Sequence, residues 1–189
     1  MTLEAFAVST GIVALGEIGD KTQLLALILA ARFRAPRPII IGIFVATLAN
    51  HAAAAALGAW LTRVIDPVWM RWGLGLSFIA VAAWMLVPDK VDDEVHGKDT
   101  PRASVFWITT VAFFLAEMGD KTQIATVMLA ARFNDLISVT AGTTLGMMIA
   151  NVPAVLLGDR VVKKVPVQWV HRVAALVFAA IGVAVLMSG

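Results

Sequence analysis

The chain has 189 residues, of which 60% are hydrophobic and 15% are charged, and its mean hydropathy is +0.86. A water-soluble domain is nearer half apolar and a quarter charged, so this composition excludes a soluble globule and indicates a bilayer as the solvent. The absence of cysteine excludes disulfides and thiolate metal sites, and a net charge of +2 without a basic, aromatic-rich tract argues against a nucleic-acid partner.

Six apolar runs follow one another along the chain, each near the 20 residues that a helix needs to cross a bilayer. They cover residues 5–31, 38–62, 68–87, 104–131, 136–158 and 167–187. Prolines punctuate them, since Pro67 opens the third run, Pro88 closes it and Pro166 precedes the sixth. The sequence therefore predicts an all-α integral membrane protein with six transmembrane helices.

The second half of the chain repeats the first at an offset of 100 residues. LAARF occurs at 29–33 and again at 129–133. We therefore predict a first three-helix repeat at 1–87, a charged linker at 88–103 and a second repeat at 104–189. Three crossings per repeat make the second repeat enter the membrane from the opposite side, so the repeats are predicted to be inverted. Inverted repeats with a site at their interface are typical of transporters.

Lysine and arginine are distributed unequally between the two predicted faces of the membrane. The face opposite the linker has only Arg63, Arg71 and Arg132. The linker face has Arg32, Arg34, Arg37, Lys90, Lys98, Arg102, Arg160, Lys163, Lys164 and Arg172. Basic residues concentrate on the cytoplasmic side of membrane proteins, so the linker is predicted to be cytoplasmic and both termini to lie outside.

Two of the predicted spans carry ionisable residues near their centres, in the stretches GEIGDKTQ at 16–23 and AEMGDKTQ at 116–123. Each charged residue at the centre of a span costs roughly 2.5–3.5 kcal/mol to insert, and a Leu or Ile returns only about 0.3–0.6 kcal/mol. These groups therefore cannot face lipid. The two acidic faces are expected to be covered by protein or water and to face one another.

The spacing within the first stretch predicts how its side chains are arranged. On a regular helix Glu17, Asp20 and Gln23 share one face, as do their counterparts 100 residues later. Lys21, four residues after Glu17, can pair with it within the helix. Gly19 and its counterpart could instead unwind the backbone locally, which would bring hydroxyl or carbonyl oxygens into use.

The two stretches together contain four carboxylates and two lysines, so their formal charge is −2. One divalent cation or two protons would cancel this charge, whereas a purely structural salt-bridge cluster would leave it uncompensated. The available ligands are carboxylate, hydroxyl and amide oxygens, with no sulfur donor and no histidine in either stretch. This hard set of ligands favours Mg²⁺, Ca²⁺ or Mn²⁺ over Zn²⁺ or Cu⁺.

The duplicated signature E-x-G-D-K-T, on the first and fourth of six predicted spans, resembles that of the second calcium/cation antiporter family. Eukaryotic members of that family lie in Golgi and chloroplast membranes, and bacterial members export manganese. The resemblance covers essentially the whole chain. It implies exchange of Mn²⁺ or Ca²⁺ for protons across a bacterial cytoplasmic membrane, with no cofactor.

The resemblance also implies an ion site formed by both motifs. Carried over by position, that site consists of Glu17, Asp20, Thr22, Gln23, Glu117, Asp120, Thr122 and Gln123. Both repeats lie in one chain, so no oligomeric partner is required to build the site.

Other polar residues in the spans could support this site or handle protons. Lys21 and Lys121 lie inside the motifs, and Asn50, His51 and Asn151 lie near the centres of the second and fifth spans. A lone histidine on a membrane helix most often forms a hydrogen bond between helices, so a structural interpretation stands beside the functional one.

Two other functions share some of these features. A small-solute exporter of similar six-helix size could use the lysines to hold a substrate carboxylate, although the mirrored carboxylates favour a cation. An intramembrane aspartyl protease also uses buried aspartates, but its G-x-G-D signature needs glycine at positions 17 and 117, where this chain has glutamate. A lysine beside each aspartate would also hinder two aspartates from sharing one proton. The prediction is therefore a transporter and not an enzyme.

Overall fold

The computed structural model of the protein describes residues 2–86, 101–157 and 167–187, and all regular secondary structure in these segments is α-helical. The helices are α1 (Leu3–Glu17), α2 (Lys21–Phe33), α3 (Pro36–Val64), α4 (Pro67–Trp84), α5 (Arg102–Glu117), α6 (Lys121–Phe133), α7 (Leu136–Leu157) and α8 (Val167–Met187). The all-α prediction is confirmed. Residues 88–100 of the predicted linker at 88–103 lie outside the described residues. The last two linker positions already belong to α5, which begins at Arg102.

Each run that carries an acidic motif is broken into two helices. α1 ends at Glu17 and α2 begins at Lys21, and the second copy breaks at the equivalent place between α5 and α6. The breaks depend on glycine, because Gly19 and Gly119 have φ values of 82° and 75°, in the left-handed region that other residues rarely adopt. The helix is therefore unwound at the glycines, as one of the two predictions allowed. The other prediction, a regular helix with Glu17, Asp20 and Gln23 on one face, is wrong.

Three of the described helices are each long and apolar enough to cross a membrane by themselves. They are α3, α7 and the Gln168–Met187 part of α8. Helices α5 and α6 meet this criterion together, as a pair bent by 71° at its break. By length and composition the described residues thus supply three spans, or four if the bent pair is counted as one.

Helices from the two halves of the chain are interlocked. α1 packs along α7, their counterparts α5 and α3 pack together, and α4 packs along α8. Glycine at equivalent positions permits this close approach. A Cβ atom at Gly142 would lie 2.5 Å from the Phe6 carbonyl oxygen, and one at Gly42 would lie 3.0 Å from the Phe106 carbonyl oxygen. The helices that lead to each motif are therefore held by the opposite half.

Gly142→Ala should destabilise the protein by about 1–3 kcal/mol, because the new methyl group would collide with a backbone oxygen of α1. Thermal unfolding of the purified protein in detergent measures the change. Gly11→Ala on α1 is the matched control. Nothing lies within 4 Å of a Cβ at Gly11, so the higher helix propensity of alanine should leave stability unchanged or raised. Equal effects of the two substitutions would contradict this account of the contact.

Candidate ion-binding site

The two helix breaks bring acidic side chains of both motifs into one buried cluster. Glu17, Asp20 and Asp120 each offer one carboxylate oxygen, and these three oxygens lie within 4.8 Å of one another. All three side chains are buried, and so is Glu117 at the end of α5. Converging carboxylate oxygens of this kind can act as ligands of one hard cation.

Two ion pairs connect the motifs to each other. The Lys121 ammonium lies 3.0 Å from an Asp20 oxygen, and the Lys21 ammonium lies 3.0 Å from an Asp120 oxygen. The predicted pairing of Lys21 with Glu17 is wrong, because the helix is broken between these residues and the i, i+4 geometry is lost. Each lysine neutralises the aspartate of the other motif, which joins the two halves of the chain.

The two motif glutamates are held by threonines and not by lysines. Thr22 donates a hydrogen bond of 2.5 Å to Glu17 Oε2. Thr122 donates to Glu117 Oε2 at 3.2 Å and to Asp120 Oδ2 at 3.4 Å. The other carboxylate oxygen of each glutamate, Oε1, is buried and has no hydrogen-bond partner among the described residues. These two oxygens remain available to a ligand of opposite charge.

The motif glutamines stabilise the helix breaks. Gln23 Oε1 accepts a hydrogen bond of 2.9 Å from the Gly19 N–H, and Gln123 Oε1 accepts one of 2.6 Å from the Gly119 N–H. The Gln23 amide nitrogen also donates to the Ala150 carbonyl at 2.8 Å. Each glutamine thus satisfies a backbone donor that the break leaves outside the helix. Their role as ion ligands stays a prediction.

Of the polar residues predicted on the second and fifth spans, Asn50 contacts a motif directly. Its side-chain oxygen accepts a hydrogen bond from the Gln123 amide. The Asn151 amide donates to the Met147 carbonyl at 3.1 Å, within its own helix. His51 is fully buried, and neither of its ring nitrogens has a hydrogen-bond partner among the described residues. Proton handling by His51 stays a prediction.

The residues around the cluster are more exposed on one side than on the other. Lys21 exposes 28% of its side chain, whereas Lys121 exposes 1%. At the second break Met118 is 57% exposed, whereas Ile18, its counterpart at the first break, is half-buried. Lys21 pairs with Asp120 of the second motif, and Met118 precedes that motif's glycine. The more exposed residues therefore lie beside the second motif.

One contact at the first break is not predicted by the sequence patterns. His171 on α8 has its Nε2 atom 2.8 Å from the Ile18 carbonyl oxygen. A carbonyl oxygen only accepts, so Nε2 must carry the hydrogen and donate it. The internal repeat could not reveal this residue, because its counterpart is Arg71. The available signal was a histidine near the start of the sixth apolar run.

Long apolar helices that surround a buried, mostly acidic cluster define a membrane protein that transports ions. The profile of the family described as "Divalent cation/proton antiporter GDT1" matches residues 5–93 and 105–189. The chain belongs to this family. The resemblance drawn from the duplicated signature is thereby confirmed, and so is the prediction of a transporter and not an enzyme.

Relatives match this chain over nearly its whole length. A Vibrio cholerae protein named "Putative manganese exporter" is 49% identical over 177 residues, which cover 93% of this chain and 87% of the relative. "GDT1-like protein sll0615" of Synechocystis is 28% identical, and the match covers 93% of each chain. "GDT1-like protein 5" of Arabidopsis thaliana is 26% identical over 98% of this chain and 96% of the relative. No solved structure matches significantly.

Proposed function

We propose that the protein exports Mn²⁺ from the bacterial cytoplasm in exchange for protons. The charge balance of the buried cluster carries this proposal. The two lysines pair with the two aspartates, which leaves Glu17 and Glu117 without a cationic partner among the described residues. One divalent cation or two protons would balance the two glutamates. The two substrates of an antiporter would then compete for the same groups.

We assign the ion site to both motifs, and the carboxylates are its charged ligands. The full set is Glu17, Asp20, Thr22, Gln23, Glu117, Asp120, Thr122 and Gln123. Lys21, Lys121 and Asn50 would keep these groups in position through the ion pairs and the hydrogen bond already described. No resident cofactor is needed, because the cation is the transported substrate.

Mn²⁺ is the proposed cation, and Ca²⁺ is the alternative. Oxygen ligands alone suit both ions. Two ligand oxygens on opposite sides of a bound Mg²⁺ ion are about 4.2 Å apart, and those on opposite sides of Ca²⁺ are roughly 4.6–5.2 Å apart. The three carboxylate oxygens of the cluster lie within 4.8 Å of one another, so they can surround a single ion. The name of the 49% identical relative favours manganese. An amino-acid-type solute is too large for this spacing, which makes the small-solute exporter the weaker candidate.

We also propose six spans in two inverted three-helix repeats, residues 1–87 and 104–189, with α1–α2 and α5–α6 as broken spans. Contacts at the helix ends support this arrangement. The Thr2 N–H donates to the Asp135 carboxylate at 2.9 Å, as expected if the starts of α1 and α7 share the outer face. Arg34 and Arg102 line one cavity, as expected if both lie on the cytoplasmic face. Two breaks that meet between inverted repeats suit alternating access.

A cysteine introduced at Val95 should react with an impermeant thiol reagent only from the cytoplasmic side, because the linker is predicted to lie there. The chain contains no cysteine, so Val95→Cys would carry its only thiol. Intact cells should show no labelling, and inverted membrane vesicles should be labelled. Thr2→Cys is the matched control and should show the opposite result. Labelling of position 95 in intact cells would overturn the orientation.

An imposed pH gradient should drive Mn²⁺ uphill in proteoliposomes, with protons moving in the opposite direction. Protons and Mn²⁺ compete for the same carboxylates, so the apparent affinity for Mn²⁺ should fall as the pH falls. The decrease should be about tenfold per pH unit for each proton displaced. Cation flux and internal pH are measured together, with protein-free liposomes as the control. Mn²⁺ flux that ignores the gradient and moves no protons would indicate a uniporter or channel.

A further inference from the structure

A basic cavity lies at the end of the bundle where α2 ends and where α3 and α5 begin. Its volume is about 440 Å³. We call it the arginine corner, and it is lined by Arg34, Ala35, Pro36, Arg37, Pro38, Ile41 and Arg102. The three arginine side chains are exposed, and no ion pair involves them within the described part of the chain. Among the residues that the structure describes, the lining thus has three positive charges and no negative one.

The equivalent corner in the other repeat is closed by hydrogen bonds. There the Thr2 N–H donates to Asp135 at 2.9 Å, and the Ser138 hydroxyl donates to the same carboxylate at 2.7 Å. Hydrogen bonds from Ser138 and Thr2 hold the pKa of Asp135 well below its usual value. In the arginine corner the counterparts of Asp135 and Ser138 are Ala35 and Pro38, which cannot form these bonds. The arginine corner therefore lacks the hydrogen bonds that close its counterpart.

The backbone of the arginine corner has the same conformation as its counterpart, but it carries a side chain that suits this conformation less well. Arg34 has a φ of 50°, and the equivalent Asn134 has a φ of 48°. Asparagine tolerates this left-handed conformation better than arginine, which is strained there. A strained backbone conformation at an arginine is a reason to look for a use of its guanidinium group.

We propose that the arginine corner binds the phosphate group of an anionic phospholipid. Guanidinium groups match phosphate oxygens in geometry and charge, and basic pockets between helices on the cytoplasmic side of a membrane bind acidic headgroups. Ile41 is 54% exposed in the same lining, so an acyl chain can follow its apolar surface. The cavity volume lies within the range of small-molecule sites.

The bound lipid would connect the two motifs at a distance. α2 leads away from the first break and α5 leads toward the second, and these two helices contact each other. A phosphate held by Arg34 and Arg102 would fix the end of α2 to the start of α5. The lipid would thus stabilise one relative position of the two half-helices.

Binding can be measured without any transport assay. The purified full-length protein is unfolded thermally in zwitterionic detergent while phosphatidylglycerol or phosphatidylcholine is added. Phosphatidylglycerol should raise the unfolding temperature and phosphatidylcholine should not. Arg34→Asn/Arg102→Gln should weaken the apparent affinity for phosphatidylglycerol by roughly 25-fold, about fivefold for each arginine. The matched control, Arg63→Gln/Arg132→Gln, removes the same charge from the other face and should bind like the unchanged protein.

Single substitution at Arg34 separates binding from folding. Arg34→Asn should keep or raise the unfolding temperature without lipid, because asparagine suits the backbone, and it should still lose affinity for phosphatidylglycerol. Equal weakening by the control pair would overturn the proposal, since binding would then depend on overall charge. An equal shift with inorganic phosphate alone would show an anion site and not a lipid site. Lipid binding seen only after Asp92→Asn/Asp93→Asn/Glu94→Gln would show that the chain's own linker fills the corner, and would also overturn the proposal.

Discussion

Glu17→Gln should abolish Mn²⁺ transport in proteoliposomes while leaving the protein folded and inserted. The substitution keeps the shape of the side chain and its hydrogen bond from Thr22, but it removes one of the two charges that the lysines do not neutralise. Substitution of a residue that only hydrogen-bonds to a metal ligand already lowers metal affinity by roughly 10–100-fold. Loss of a charged ligand itself should therefore lower the affinity for Mn²⁺ by roughly 100-fold or more. Mn²⁺ binding by isothermal titration and Mn²⁺ flux are the two measurements.

The other carboxylates of the cluster give the same test from different positions. Asp20→Asn, Asp120→Asn and Glu117→Gln should each severely impair transport as well. Glu4→Gln is the matched control, because Glu4 lies on α1 like Glu17 but is exposed and far from the break in sequence. The control should transport like the unchanged protein. Unchanged transport by any two of the four cluster variants would refute the assignment of the ion site.

Lys121→Gln should destabilise the protein by about 3–5 kcal/mol, because it removes one partner of a buried ion pair. The equivalent change at Lys21 should cost less, about 1–3 kcal/mol, because it leaves the buried Asp120 without its partner but opens a 28% exposed position through which water can reach that carboxylate. Thermal unfolding in detergent would measure both losses.

The two lysines form an internal control, since they occupy the same place in each motif and pair with the same type of residue. Lys121→Gln/Asp20→Asn should recover much of the stability that Lys121→Gln loses, because the double substitution removes both charges of this ion pair together. Equal losses at the two lysines would contradict the unequal burial. A double variant no more stable than the single one would show that the ion pair is not the cause.

The sequence predicted which acidic residues and lysines form the buried cluster, but not which side chains contact one another. The repeat at an offset of 100 identified both motifs, and the glycines at 19 and 119 indicated where the helix could unwind. The duplicated E-x-G-D-K-T signature also identified the family. The regular-helix geometry failed because side-chain spacing carries information only while the backbone stays helical.

The remaining contacts depend on tertiary packing. By spacing alone Lys21 could reach Glu17, and only the approach of the second break places Asp120 beside it. The contact between His171 and the Ile18 carbonyl requires α8 to lie across the first break, which no local pattern encodes. The interlocking of α1 with α7 likewise joins residues more than 100 positions apart.

That interlocking has a consequence for how the chain is made. During synthesis α1 leaves the ribosome before α7 exists, and Asp20 is made 101 residues before Lys121. Contacts so distant in sequence form late, and the nascent first half must keep its acidic stretch hydrated or temporarily shielded until the second half emerges. A polypeptide that stops near residue 87 should therefore be a substrate for quality-control proteases. Co-expression of the two halves as separate chains should rescue it, because the missing helices can then dock from a second molecule.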